Sequence, residues 1–357
     1  MFSASFVALV LASSVLAGPM KRFGGLTVDL TGPSNAATVD DLKFTATVKN
    51  SGSEAVKVLK YGTILDEKLP TRSFTVTKDG TAVPFTGIKL SVSLEEADDS
   101  AYAVIPAGES VTVNHNVASL FDFASAGAGT FKFEPVTTFQ VAGSEEKVVS
   151  LADVEELEVG SSAVEVTLSG TPEKRELVPL EKRARNICTT SQASFISSAY
   201  TEGKQMASAA SSYVSSNGAN SLYTSYFKTT STSTVRSVLS NVANENSSTR
   251  TLDCRDALGA CTSGVIAYTV ISTTNVYFCS IFFQEVAQSR LCDGGTTVAA
   301  RNIRGATVLH ELTHATSGTD DIAYGCSTDR SLSASQSADN ADNYNCFSSQ
   351  VWQDTQC

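Results

Sequence analysis

Five consecutive residues, His310-Glu311-Leu312-Thr313-His314, carry the clearest chemistry in this sequence. On a helix, positions i and i+4 share a face, so His310 and His314 can present imidazole nitrogens to one metal ion. The preceding AARNIRGATVL segment reads as helical, with Ile303, Thr307, His310 and His314 on one stripe. Glu311 follows the first ligand, where it reaches a water on the metal rather than the metal itself. Zinc draws the pKa of such a water toward ~7, and the carboxylate takes its proton as it attacks a carbonyl. The chain has 3 histidines, and two of them fall in this motif.

Absences narrow the third ligand. No glutamate follows Glu311 and no histidine follows His314, which excludes a downstream glutamate ligand and a three-histidine site. No methionine follows Met206, so the Met-turn that accompanies three histidines is missing too. The oxygen donors left are Asp320, Asp321 and Asp329, with Asp339, Asp342 and Asp354 further on. Asp320 and Asp321 lie just past a Ser317-Gly318 break where the chain can turn back, and zinc accepts a carboxylate beside two imidazoles. Asp321 lies three residues before Tyr324, so a turn of helix would bring both side chains to one side.

The motif followed by Gly318-Thr319-Asp320-Asp321-Ile322-Ala323-Tyr324-Gly325 resembles the paired HExxH and GTxDxxYG motifs of the deuterolysin-type metallopeptidases, the aspzincins. The resemblance extends over the whole chain. It implies zinc ligands His310, His314 and Asp321, one Zn2+ per mature chain, Glu311 as general base and Tyr324 as a hydroxyl that steadies the oxyanion. It further implies a secreted endopeptidase made as an inactive precursor, a zincin-like catalytic domain, and activity on small basic proteins. Asp320 falls on the variable position of the motif and is expected to be a solvated turn residue or a helix N-terminal charge. Two departures stand out. The Ala315-Thr316-Ser317 connector is short for the family, and the 8 cysteines exceed the usual fungal complement. Family order implies Cys188–Cys254, Cys261–Cys279 and Cys292–Cys357, which leaves Cys326–Cys346 as an additional pair tethering the metal-binding turn.

The elements that must position these residues belong to a chain of 357 residues, 42% hydrophobic and 18% charged, which is globular composition. Its net charge of −11 argues against a nucleic-acid binder held by phosphate contacts. Residues 2–16 are apolar or small and Ala17-Gly18 follows, so residues 1–17 read as a signal peptide and the product as secreted, extracellular and free of a membrane segment. All cysteines lie from Cys188 onward, and an even count in a secreted chain implies four disulfides. No Cys-x-x-Cys pair suggests a zinc finger. Composition shifts at TPEKRELVPLEKRARNIC, where Lys174-Arg175 and Lys182-Arg183 are dibasic pairs; Lys21-Arg22 is a third. Lys182-Arg183 is read as the cut made by a kexin-like processing protease. Residues 18–183 are then a propeptide and 184–357 a monomeric catalytic domain.

Within residues 24–170, period-two alternation at 26–30, 44–48, 110–113, 131–133 and 164–168, with Phe74–Lys78 running into Asp79-Gly80, predicts an all-β, sandwich-like module. His115 sits in a strand pattern and reads as structural or solvated. The C-terminal half reads as mainly α, disulfide-stapled, with helices over 190–215 and 232–244 and a small hairpin over 265–270 and 276–279. Asn246-Ser247-Ser248 is a glycan acceptor sequence. A propeptide without cysteine cannot block zinc with a thiolate, so latency must come from a carboxylate, His115 or steric cover. The competing functions are a non-peptidase amide hydrolase and a secreted zinc-binding effector; a purely structural metal has no need of Glu311.

Overall fold

A computed structural model describes residues 25–144, 155–175, 177 and 188–357; the expected signal segment and the Lys21-Arg22 and Lys182-Arg183 pairs lie outside the described residues. In the N-terminal half the alternating segments are strands. Leu26–Thr31 alternates buried and exposed along its length and pairs antiparallel with Lys43–Asn50, which pairs in turn with Ser110–Asn116. Val164–Leu168, Gly129–Pro135 and Phe74–Lys78 lie side by side in a second sheet, and Glu155–Glu158, Thr138–Gly143, Val56–Leu59 and Tyr102–Ile105 form a third. Asp79 and Gly80 both take positive φ (51° and 76°), as a two-residue hairpin turn requires. The core is rich in phenylalanine, with the Phe44 and Phe133 rings 4.5 Å apart. His115 is structural: it is buried, stands edge-on to Phe74, and its Nε2 donates to the Ile64 carbonyl at 2.8 Å.

The C-terminal half packs the helices Thr190–Asn217, Thr232–Ala243, Arg304–Ser317 and Ala341–Gln356 around one apolar core. Thr189 and Gln192 form a capping box that starts the first of these. Where it crosses the motif helix, glycines meet: a Cβ on Gly203 would lie 2.7 Å from the Gly305 carbonyl, so no larger residue permits this approach. The motif helix begins at Arg304, later than its sequence suggests, because Arg301 turns left-handed (φ 49°) after a short 3-10 segment. It ends at Gly318, whose φ of 75° lets its N–H return to the His314 carbonyl. The three disulfides that the family order implied are present, and the two cysteines it left over pair as Cys326–Cys346.

The expected small hairpin is larger than predicted. Val265–Val270 and Asn275–Phe278 pair antiparallel, Leu252–Asp253 adds a parallel strand, and the outer position is taken by Ile88–Val92 from the N-terminal half.

Candidate metal centre

Helix geometry delivers the two histidines together. His310 and His314 lie one turn apart on a buried face, with Nε2 atoms 3.2 Å apart. The Gly318 reversal then returns the chain, and Asp321 Oδ1 reaches 3.0 Å from His310 Nε2 and 3.1 Å from His314 Nε2. Among the candidate aspartates, Asp321 is therefore the one that joins the histidines. The donor set fits a cation. His314 Nδ1 is 2.7 Å from the Thr319 carbonyl, which accepts and so fixes the ring proton there. Its Nε2 consequently presents a lone pair toward a carboxylate oxygen, a repulsive contact unless positive charge lies between.

The surroundings raise the same demand. Burial disfavours the imidazolium of His310, yet Asp321, Asp342 and Glu311 outweigh it and push His310 up to about 10. Burial alone would raise Asp321, but the two imidazoles hold it below the usual carboxylate range. Glu311, fully buried, is pushed up to about 8 by desolvation. Its Oε2 accepts from Thr269 Oγ1 at 2.6 Å. Tyr324 is buried and its pKa lies well above the ordinary tyrosine value, so it remains a donor; its Oη donates to the Leu90 carbonyl at 3.1 Å.

Other supports were hidden in the sequence. Asp342 lies 3.6 Å from His310 Nδ1 and is held by Arg301 Nε (3.0 Å) and the Gly325 N–H (2.5 Å), so a buried carboxylate stands behind a candidate ligand. Asp321 and Tyr324 do not share a turn of helix. The segment is irregular, and the Asn340 side chain pins it by accepting from the N–H groups of Ile322 (2.9 Å) and Ala323 (3.2 Å). Gln140 of the N-terminal half grips Tyr324 through both its backbone N–H and its carbonyl.

Asp320 corrects its expectation. It is neither solvated nor at a helix start; its side chain is 15% exposed and ion-paired with Arg72 and Lys89 of the N-terminal half. Asp329 is buried beside Asn340, which donates to it at 3.1 Å, and Asp354 accepts from Gln350 on the last helix; neither joins the histidine cluster.

A buried helix bearing two imidazoles and a glutamate, completed by a carboxylate from the following turn, is the arrangement of a metal-dependent hydrolase. Residues 1–356 match the deuterolysin metalloprotease family. The chain belongs to that family and is a metalloendopeptidase. It is 31% identical over 366 residues to a neutral protease 2 homolog of Phaeosphaeria nodorum, covering 96% of each chain. It is 30% identical over 340 residues to a peptidyl-Lys metalloendopeptidase of Armillaria mellea, covering 90% of this chain and 91% of that one. A solved zinc peptidase from Grifola frondosa matches 46% of this chain and 97% of its own, with a TM-score of 0.37 at 24% identity.

Proposed function

We propose that this chain is a secreted zinc endopeptidase in which His310, His314 and Asp321 hold one zinc ion, Glu311 is the general base and Tyr324 stabilises the oxyanion. The observation that carries the reading is the convergence of three donor atoms, buried and 3.0–3.2 Å apart, beside an acid that Thr269 holds in place. Zinc, when bound, supplies a Lewis acid that polarises the carbonyl and makes a water acidic near neutral pH. Glu311 takes a proton from the attacking water and returns it to the leaving amine as the peptide bond breaks. Tyr324 donates to the carbonyl oxygen as negative charge builds there.

Residues 1–17 are the signal and 18–183 a propeptide, released from 184–357 by a kexin-like protease at Lys182-Arg183. Four disulfides suit the oxidising compartment this route supplies. Basic proteins are the favoured substrates: the carboxylates of Asp320 and Asp339 help to line the cavity beside the histidine cluster. Such a rim concentrates cationic chains in a salt-dependent way. The name of the peptidyl-Lys relative leans the same way. No observation favours a non-peptidase hydrolase or an effector.

The test is digestion of a protein substrate by the processed chain, with chelator and then with added zinc. Glu311→Gln should keep its zinc by metal analysis while kcat falls about 10²–10⁴-fold. Undiminished turnover in that variant, or full zinc content in His310→Ala, would remove the proposal.

A further inference from the structure

The strand Ile88–Val92 takes the outer position of the sheet beside Val265–Val270 and lies against the histidine cluster. It runs antiparallel to Val265–Val270, with Leu90 opposite Tyr268 and Lys89 opposite Thr269, and all five residues are buried. By sequence it belongs to the N-terminal half, yet its backbone is committed to the metal centre. The Leu90 N–H donates to Asp321 Oδ2 at 2.7 Å. The Leu90 carbonyl accepts from Tyr324 Oη at 3.1 Å and lies 3.1 Å from His310 Nε2. The next N–H, that of Ser91, is near enough to the Glu311 carboxylate to pull its pKa down against burial. One peptide bond, Leu90–Ser91, thus offers its oxygen to the oxyanion donor and its nitrogen to the group that must protonate the leaving amine. Hydrolysis requires that same pairing of ends.

The neighbouring side chain is equally well placed. Lys89 Nζ lies 2.7 Å from Asp320 Oδ1 and donates to the carbonyls of Gly318 (2.9 Å) and Thr319. The Lys89 side chain is only 7% exposed, so a carboxylate and two carbonyls have replaced most of the water around an ammonium group. A cavity of about 280 Å³ continues from this point, lined in part by Arg72, Asp320, Asp339 and Gln336.

Resting on the metallopeptidase reading above, we propose that Ile88–Val92 occupies the substrate track in a substrate's own direction, with Leu90–Ser91 at the reacting position. Asp320 is then the specificity residue for a basic side chain at the position just before the residue whose carbonyl is attacked. The same occupancy accounts for latency: the precursor's own chain completes the sheet that a substrate strand would complete. No thiolate and no histidine from the propeptide is needed, and His115 stays in its own core.

The test uses the chain secreted and processed by its producing cells, with peptides spanning residues 86–94 (TGIKLSVSL) that carry lysine, norleucine or glutamate at the Lys89 position. Cleavage should fall between leucine and serine. Glutamate for lysine should lower kcat/KM about 10-fold or more, as expected for losing a charge-assisted hydrogen bond. The same loss should appear as weaker peptide binding to the Glu311→Gln chain by calorimetry, a readout independent of turnover. Asp320→Asn should bring the lysine-to-glutamate ratio close to one. The peptide series needs no variant at Asp320, so it decides the matter even if Asp320→Asn folds poorly. Equal kcat/KM and equal binding for the lysine and glutamate peptides overturns the inference, as does cleavage only at other bonds. Absence of zinc-dependent hydrolysis of any peptide or protein would instead overturn the metallopeptidase reading itself.

Discussion

The two halves of this molecule are held together by different means. The N-terminal half has no cysteine and relies on apolar area, with Phe44, Phe74, Phe123, Phe131 and Phe133 all buried in one cluster. The C-terminal half contains every disulfide and also the densest buried charge: Arg301 against Asp342, together with His310, Glu311, Glu285 and Asp329, all buried. Charges removed from water destabilise a fold unless well paired. Cross-links restrict the unfolded chain and offset that cost. The half that holds the histidine cluster is therefore the half that is stapled. The other half has no disulfide among its described residues.

Reduction should break this contrast most sharply. The Cys188–Cys254 loop, with its sequence separation of 66, is worth about 4 kcal/mol in the chain-entropy model. Loss of all four bridges should unfold the C-terminal half at 37 °C and leave the N-terminal half folded. The single tryptophan, Trp352, reports on the C-terminal half alone, and unchanged emission after confirmed reduction would contradict the division. The converse perturbation is Phe133→Ala, which should cost the N-terminal half about 3–5 kcal/mol. Hydrogen exchange should then rise in residues 43–50 and 129–135 without a matching rise in the Thr190–Asn217 helix.

A smaller effect is expected at Thr269. Thr269→Val keeps the shape but removes the hydroxyl that holds Glu311, a charge-assisted bond worth about 1.5–3 kcal/mol. Turnover should fall by about 10-fold or somewhat more, with zinc content unchanged by metal analysis. Loss of zinc in this variant would mean that Thr269 supports the proposed ligands and not the proposed base.

The smallest effect concerns acid. Burial holds His115 below its ordinary value of 6.5, against the opposing pull of the Ile64 carbonyl and Glu67. The unfolded chain therefore binds a proton at this site before the folded one does. Stability from neutral His115 is present above pH 6.5 and is lost as pH falls below it, at no more than about 1.4 kcal/mol per pH unit. Denaturant midpoints of the N-terminal half at pH 7.5 and 5.5, in the native chain and in His115→Gln, should show a steeper acid loss in the native chain.

Much of the site was legible because its signals are local. The i, i+4 histidines, the glycine break and the two helices over 190–217 and 232–243 follow from short-range spacing and pattern. The distant supports left no such trace. Thr269 is an ordinary strand threonine until the sheet places it against Glu311, and Asp342 and Asn340 reach the centre only through the last helix and the turn before it. Residues Ile88–Val92 alternate apolar and polar, which predicts one wet face, but all five are buried because the polar face meets the other half of the chain. Asp320 departs from its expected solvated setting for the same reason: its partners, Arg72 and Lys89, lie far away in sequence.

The pairing of Ile88–Val92 with Val265–Val270 also hides a hazard. The covered strand reads Val-Ile-Ala-Tyr-Thr-Val, is buried throughout, and contains neither a charge nor a proline. Whatever withdraws the covering strand turns this segment into an open sheet edge with the composition of a self-associating one. An uncovered molecule then offers that edge to a second copy of itself. Self-association of this kind rises with concentration, so dilution would protect an uncovered molecule.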